Sequence, residues 1–272
     1  MLLPLLISAS ALSLLMMGAW AFQRAMRNGG WTDVVWSYVV GAVGVAGALW
    51  PTGGEISHRQ WLAAALVGAW SLRLGTHLAI RVGGHEGEDA RYAHFRKSWG
   101  DQLDARMFRF LQVQAAAAIP LVWSVIAAAH RPGPLGASDL AATLVFLASL
   151  IGEHVADAEL NAFKRQPANR GRGKICDRGL WAWSRHPNYF FEWLVWLSWP
   201  VMALDISGAW LWGWIALAAP VFMYLLLRYG SGVPPLEAQM AKSRGEAWSA
   251  YAARTSVFFP MPPKPSPKRS AA

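Results

Sequence analysis

Seven long apolar stretches alternate with short polar segments along the chain. They cover Leu2–Phe22, Val34–Trp50, Trp61–Ile80, Leu111–Ala129, Leu140–Ala156, Phe190–Leu204 and Ala209–Leu227. A helix needs about 17–25 residues to cross the hydrocarbon core of a bilayer. The pattern therefore predicts an all-α integral membrane protein with seven transmembrane helices. The second and sixth stretches are short, and we expect polar residues that face protein to extend them.

The basic residues concentrate in every second polar segment. Nearly all of the 25 Lys and Arg follow the first, third, fifth and seventh stretches, whereas the opposite loops hold Arg59 and Arg131. Because loops rich in Lys and Arg stay in the cytoplasm, this asymmetry predicts an external amino terminus and a cytoplasmic carboxyl terminus. The net charge of +9 then reflects orientation, lipid headgroups and an anionic cofactor rather than nucleic-acid binding.

The composition favours a single membrane domain without a soluble partner domain. Hydrophobic residues make up 54% of the chain and charged residues 15%, against about 25% charged in soluble domains. We assign residues 1–260 to one seven-helix domain, with most of the candidate chemistry in about 150–260. The proline-rich residues 261–272 are predicted to be a disordered cytoplasmic tail. The first stretch could alternatively be a cleaved signal peptide, since Ala19-Trp20-Ala21 fits a cleavage site, but no positive segment precedes it.

A polar stripe follows the fifth apolar stretch. It consists of Glu153, Asp157, Asn161 and Lys164, whose spacings of four, four and three residues place them on one face of a helix. The stripe is either a seam of hydrogen bonds between helices or the wall of a polar pocket. Two acids at membrane depth favour the pocket, in which they would accept hydrogen bonds from ribose hydroxyls or an amide.

Glycines and cations are mixed in the following segment, which includes Arg172 and Lys174. Such a segment suits a phosphate group, because the backbone can approach closely and the cations neutralise the charge. It equally suits an ordinary cytoplasmic loop. A Walker motif and a strand-Gly-x-Gly-x-x-Gly-helix unit are both missing, so a soluble-type Rossmann domain is not expected.

The densest polar motif immediately precedes the sixth apolar stretch. It runs from Ser184 to Glu192 and includes Arg185, His186, Asn188 and Tyr189. Pro187 can start a helix, which puts Asn188 and Glu192 one turn apart on one face and the preceding cations at an end that favours anions. Arg185 and His186 could instead extend to lipid headgroups. That alternative leaves Glu192 unexplained, so we favour a functional site.

Asp33 and Tyr38 lie at the start of the second apolar stretch. An acid and a phenol at a membrane helix can polarise a substrate carbonyl. Asp33 could equally be a helix amino-terminal cap, and the sequence does not separate the two interpretations.

Two other groups favour neither a nucleotide loop nor a metal site. The glycines at positions 41, 44 and 47 are predicted to form a close-packing helix face. The segment around His85, Glu86, Asp89 and His94 lacks the closely spaced histidines of a membrane di-iron enzyme, and no metal is expected.

Several motifs together resemble the steroid 5α-reductase family, most closely its bacterial branch. They are Asp157 with Lys164, Gly179-Leu180-Trp181, Ser184–Tyr189, Glu192, Ser231–Glu237, Tyr251 and Phe259-Pro260, with weaker similarity at Trp70–Arg73 and Asp89–Tyr92. The resemblance covers mainly Asp157–Pro260. It also suggests that the chain is a proteobacterial homologue of which a crystal structure exists.

The resemblance implies an NADPH-dependent enzyme of the bacterial inner membrane, with its cofactor site facing the cytoplasm. It implies reduction of the Δ4 double bond of a 3-oxo-Δ4 steroid, with hydride added at C5 and a proton at C4. A donor must then face the steroid oxygen, where charge develops in the transition state. The steroid or another enone would enter from the bilayer, and we expect a monomer without a protein partner.

The resemblance also carries residue roles over to this chain. Cofactor roles fall on Glu153, Asp157, Lys164, Lys174, Asn188, Glu192, Arg228 and Glu237, with Arg81 and Arg91 able to reach a phosphate. Asn188 and Glu192 match the nicotinamide end, whereas Asp157 and Lys164 match the adenosine and phosphate end. The mammalian Gln-Glu pair and the Tyr at the steroid oxygen have no matching form here, which leaves Asp33 and Tyr38 as candidates.

Three other functions are alternatives to a steroid 5α-reductase. Membrane methyltransferases that use S-adenosylmethionine and resemble isoprenylcysteine carboxyl methyltransferase also carry an Arg-His-Pro-x-Tyr run. They usually have two adjacent glutamates later in the chain, whereas here Glu237 stands alone. Sterol C14 or C24 reductases would use the same cofactor on another double bond. A transporter or scaffold would distribute intramembrane charges along a pathway, but here they cluster between Glu153 and Glu192.

Overall fold

The protein folds into α-helices joined by short connections, in a computed structural model that describes residues 1–84, 87–88, 90–169 and 174–265. The helices are α1 Leu2–Met26, α2 Trp31–Ala48, α3 His58–Gly83, α4 Ala90–Trp99, α5 Leu103–Ala129, α6 Ala137–Arg165, α7 Leu180–Trp183, α8 Pro187–Ala203, α9 Ala218–Tyr229, α10 Val233–Arg244 and α11 Glu246–Arg254. Short 3₁₀ helices cover Gly100–Gln102, Pro167–Asn169 and Leu211–Leu217. The all-α prediction is confirmed for these ranges.

Within the described chain, five helical segments are long and apolar enough to cross a membrane. They are Leu2–Met26, His58–Gly83, Arg91–Ala129, Ala137–Arg165 and Leu211–Arg244. The protein is therefore a multi-pass membrane protein. The two remaining predicted spans lie on α2 and α8, which are 18 and 17 residues long, and the total of seven spans stays a prediction.

One compact unit comprises Met1–Leu140 and Trp199–Ala219. Its helix α2 packs against α1, α3 and α5. The approach is close because small residues line α2: a Cβ added at Gly44 would lie 3.0 Å from Val67 Cγ2, and one at Gly47 would lie 2.6 Å from Ile126 Cδ1. Gly41 packs equally closely on Ser71. The predicted close-packing face is confirmed.

A buried ion pair connects two parts of this unit. The Arg59 guanidinium donates to both Asp139 carboxylate oxygens, at 2.7 and 2.9 Å, and to the carbonyl oxygens of Gly133 and Pro134. Asp139 also accepts from Arg131 at 3.0 Å. The start of α3 is thereby tied to the connection between α5 and α6, and the charges are compensated as burial requires.

The other compact unit comprises Ala141–Ser198 and Pro220–Ala272. Its interior is aromatic: Phe190, Trp193, Tyr224 and Phe258 form a series of edge-to-face ring contacts. The Trp193 indole donates to the carbonyl of Pro220 at 2.9 Å. This packing fixes α8 against α9 and the chain that follows α11.

The chain after α11 returns to the start of α8. The Arg185 amide donates to the Ser256 carbonyl at 2.8 Å, and the Met261 amide donates to the Trp183 carbonyl at 3.0 Å. In the predicted tail, the Lys264 amide still bonds to the Arg254 carbonyl at 2.8 Å, and residues 266–272 lie outside the described residues.

Candidate functional site

A cavity of about 250 Å³ lies within the second unit. Its lining comes from α6, the segment before α7, α7 itself, the motif at the start of α8, α10 and α11. The lining residues are Leu160, Phe163, Lys164, Lys174, Ile175, Cys176, Trp181, Arg185, His186, Asn188, Leu236, Met240, Arg244, Trp248 and Tyr251. The cavity therefore combines cations with aromatic and apolar side chains.

Four of the lining residues are cations that come from different segments. Lys164 is in the last turn of α6, Lys174 precedes α7, Arg185 precedes α8 and Arg244 ends α10. The last turns of α6 and α10 therefore each contribute a basic residue to the cavity lining. Such convergence of guanidinium and ammonium groups suits a phosphate-bearing ligand.

The motif before α8 is held in place by its own hydrogen bonds. The His186 amide donates to Ser184 Oγ at 3.1 Å, and that hydroxyl donates to the Phe258 carbonyl at 2.9 Å. Helix α8 then begins at Pro187 as predicted. The amide group of Asn188 donates to Asp157 Oδ1 at 3.4 Å, so the α6 stripe and the α8 motif meet at these two residues.

Glu237 joins the two basic residues of the motif. Its Oε1 lies 2.8 Å from Arg185 Nε and 3.1 Å from His186 Nε2. The Arg185 guanidinium also donates to the Ala252 carbonyl at 2.7 Å and lies 5.7 Å from the centre of the Trp248 ring. These contacts fix the direction of both side chains before any ligand is present.

Aromatic residues also line the cavity. Trp181 donates from its indole to the Ala156 carbonyl at 2.9 Å, and the Tyr251 hydroxyl donates to the Trp181 carbonyl at 2.6 Å. Burial raises the pKa of the Tyr251 phenol, and burial likewise raises the pKa of the Cys176 thiol. Both groups are therefore neutral near pH 7, and the wall offers flat apolar surfaces for an aromatic ring.

Among the described residues of this unit, the remaining predicted cofactor residues do not line the cavity. Glu153 and Glu192 are buried, and Glu192 accepts a hydrogen bond from the Trp196 indole at 2.9 Å. The Tyr189 ring stacks on His186. Arg228 lies over the Tyr229 ring, and Asn161 is exposed on α6. Arg172 lies outside the described residues.

The first compact unit contains the two predicted catalytic residues, Asp33 and Tyr38, and the two predicted phosphate-binding residues, Arg81 and Arg91. Asp33 accepts hydrogen bonds from Arg91 and, at 2.9 Å, from the Tyr92 hydroxyl. Helix α2 is capped by Gly30 with no side-chain cap bond, so the capping interpretation of Asp33 is wrong. The Tyr38 hydroxyl lies 3.1 Å from Thr76 Oγ1, and Arg81 is exposed in the last turn of α3.

Part of the cavity lining lies outside the residues that the sequence motifs predicted. Leu236, Met240, Arg244 and Trp248 recur every four residues, followed by Tyr251 three residues later. That spacing predicts one helical face, although the structure divides the segment into two helices at Gly245. Phe163 and Cys176 gave no comparable signal, because isolated apolar residues near a membrane span are ordinary packing residues, whereas Trp181 belongs to the Gly179-Leu180-Trp181 motif.

The fold and the cavity define a class: a helical, multi-pass membrane protein with a cavity that is lined by cations and aromatic side chains. The chain belongs to the family of proteins of unknown function DUF1295, which it matches over residues 19–255. This family is related to steroid 5α-reductase-like membrane proteins. No curated protein and no solved structure matches the chain significantly. The suggested identity with a crystallised homologue therefore has no support.

Proposed function

We propose that the protein is an NADPH-dependent enone reductase of steroid 5α-reductase type, which reduces the Δ4 double bond of a 3-oxo-Δ4 steroid. The observation that carries this proposal is the cavity of the second unit. It is lined by several residues of the motifs that resemble the reductase family, namely Lys164, Trp181, Arg185, His186, Asn188 and Tyr251.

The chemistry of the lining fits a phosphorylated dinucleotide. The cations Lys164, Lys174 and Arg244 supply charge for phosphates, whereas Trp181 and Trp248 offer surfaces on which an aromatic ring can stack. Ligand pockets usually measure roughly 300–1,000 Å³, so a cavity of about 250 Å³ suits one portion of the cofactor. When bound, NADPH would supply the hydride.

Residues of the second unit would bind and orient the cofactor. Glu237 holds Arg185 and His186 in fixed directions, which lowers the entropy lost on binding. Asn188 is oriented by Asp157 at the start of α8. The family resemblance implies that Asn188 and Glu192 face the nicotinamide end, and Asp157 and Lys164 the adenosine and phosphate end. Because Asn188 bonds to Asp157 and shares the cavity with Lys164, the cavity would hold the part of the cofactor between these two ends.

The two candidates for the group at the substrate oxygen differ in what they can donate. Asp33 accepts hydrogen bonds from Arg91 and Tyr92, so both of its oxygens already have partners within the protein. The Tyr38 hydroxyl contacts Thr76 Oγ1, and either hydroxyl can be the hydrogen-bond donor in this contact. We therefore favour Tyr38 as the hydrogen-bond donor to the substrate carbonyl, where an oxyanion develops.

The membrane arrangement is part of the proposal. Seven spans, an external amino terminus and a cytoplasmic carboxyl terminus agree with the basic residues in alternate connections. Under this arrangement the protein acts as a monomer in the bacterial inner membrane, with its cofactor site facing the cytoplasm. An apolar enone would enter the site from the bilayer.

The direct test is turnover by the purified protein in detergent. With progesterone or testosterone present, we expect oxidation of NADPH and a product heavier by two hydrogens, measured by absorbance and mass spectrometry. Binding of NADPH without steroid turnover would reject the steroid and retain the cofactor. Binding of S-adenosylmethionine but not NADPH would reject the proposal in favour of a methyltransferase.

A pair of variants on α10 tests the cavity itself. Arg244→Gln removes a cation that lines the cavity, whereas Lys242→Gln removes an exposed cation two residues away that does not. Because a hydrogen bond to a charged group is worth about 1.5–3 kcal/mol, NADPH should bind about tenfold or more weakly to Arg244→Gln. Equal affinity of the two variants would place the cofactor elsewhere.

A further inference from the structure

A second cavity, of about 370 Å³, lies in the first unit and has no part in the proposed reaction. Gln23, Arg24, Arg27, Arg96, Leu103 and Asp104 line it. They come from the end of α1, from α4 and from the start of α5. Three arginines in one polar cavity indicate an anionic ligand.

The position of this cavity relative to the bilayer follows from the helices that form it. Helix α1 ends at Met26, and α5 begins at Leu103, and both helices belong to segments that can cross a membrane. The Trp20 indole donates to the Asp104 carbonyl at 3.1 Å and packs edge-on against Phe108. Tryptophan prefers the headgroup level of a membrane, so the cavity lies at headgroup depth.

The charges of the cavity nearly balance. Arg24 is paired with Asp104 at 2.9 Å, and Arg96 is paired with Glu88 at 2.9 Å. Among the described residues, Arg27 forms no ion pair, so the cluster carries one uncompensated positive charge. Arg96 uses Nε and Nη2 for Glu88, which leaves N–H donors for a ligand.

The last turns of α1, which also supply residues to the cavity, carry exposed apolar side chains. Phe22 and Met26 are exposed large hydrophobic residues on the last turns of this helix. An amphipathic ligand could place its charged group among the arginines and its hydrocarbon along these side chains. A free anion would leave that apolar surface unused.

We infer that this cavity binds the phosphodiester headgroup of an anionic membrane lipid. A single net positive charge matches the single negative charge of a phosphodiester better than the higher charge of a phosphate monoester. Asp104 and Gln23 can accept hydrogen bonds from hydroxyl groups of the headgroup. A lipid with a glycerol headgroup meets both requirements.

Titration with lipids tests this inference on the full chain in detergent. Native mass spectrometry would compare phosphatidylglycerol with phosphatidylcholine for the unchanged protein and for Arg27→Gln and Arg109→Gln. Arg27→Gln removes the guanidinium charge and keeps a polar side chain at the positive φ of 50°, so the backbone keeps an ordinary side-chain residue there. Arg109 is an exposed cation of α5 outside the cavity. A basic residue near a membrane surface contributes about 1 kcal/mol.

Phosphatidylglycerol should bind about fivefold more weakly to Arg27→Gln and equally well to Arg109→Gln. Phosphatidylcholine should bind all three proteins alike. Equal binding of phosphatidylglycerol by Arg27→Gln and the unchanged protein would overturn the inference, as would an equal loss in Arg109→Gln. Competition by millimolar inorganic phosphate would assign the cavity to a free anion instead of a lipid.

Discussion

At the scale of single residues, Cys176 offers an internal probe of the proposed cofactor cavity. It is the only cysteine of the chain, it is buried, and it lines the cavity beside Trp181 and Tyr251. Only the thiolate reacts readily with alkylating agents. Because burial raises the pKa of this thiol, the thiolate fraction near pH 7 is smaller than for a free cysteine.

We expect slow maleimide labelling of Cys176 in the folded protein. The rate should rise with pH and continue to rise above about pH 8.5, the pKa of a free thiol. Bound NADPH should slow the labelling further, because it would cover the cavity. The labelled mass can be followed by mass spectrometry, with Cys176→Ser as the blank. Labelling as fast as that of an exposed thiol would contradict the burial of this side chain.

Single residues also show how far the sequence could predict the site. Lys164, Lys174, Arg185, His186 and Asn188 line the cavity, and all five were expected from motifs. The contacts of Asp33 with Arg91 and Tyr92 were not predicted, because about sixty residues separate the partners in the sequence. A spacing rule along one helix has no information about such long-range contacts.

At the scale of elements, the glycines of α2 set the distance between helices. Gly41 packs on Ser71, and the neighbouring turns of α2 pack as closely on α3 and α5. Close backbone approach gives membrane helices van der Waals contact, which drives their association in the absence of a hydrophobic effect between them.

Replacement of Gly41 by alanine should therefore destabilise the protein by about 1–3 kcal/mol, the usual cost of overpacking. Gly18 in α1 is the matched control, since a Cβ there would meet nothing within 4 Å. Gly18→Ala should be neutral or slightly stabilising, because alanine favours helix. Thermal unfolding in detergent measures both variants. An equal effect at the two positions would argue against the close contact of α2 with α3.

The helices could be predicted from the sequence where their residues are uniformly apolar. The residues at which the helices end could be predicted less well. The predicted stretch Leu140–Ala156 is part of α6, which continues to Arg165. Polar residues of the stripe continue the helix beyond the apolar region, which a hydropathy pattern cannot detect. The last predicted stretch contains a 3₁₀ segment, Leu211–Leu217, before α9, and hydropathy does not distinguish the two kinds of helix.

At the scale of the whole molecule, the number of spans decides on which side each connection lies. The segments that can cross a membrane number five among the described residues, whereas seven spans require α2 and α8 to cross as well. With an external amino terminus, both arrangements put the carboxyl terminus in the cytoplasm. They differ in the connection between α5 and α6, which seven spans place outside and five place inside.

Reporter fusions distinguish the two arrangements. With seven spans, alkaline phosphatase inserted at Gly133, an exposed residue of that connection, should be active. A fluorescent protein at the carboxyl terminus should be bright in either case, because the basic segments keep that end in the cytoplasm. An inactive phosphatase at Gly133, with normal expression, would reject the arrangement with seven spans.

The chain after α11 has a consequence for how the cell produces the protein. The Arg185 amide bonds to the Ser256 carbonyl, and the Met261 amide bonds to the Trp183 carbonyl. The motif beside the cavity is therefore held by residues that the ribosome adds after all those that line the cavity. Proteins begin to fold from the amino terminus during synthesis. A nascent chain released at Arg254 would carry every residue that lines the cavity but lack the segment that bonds to the Arg185 amide, so the motif is fixed in place only after this segment has been translated.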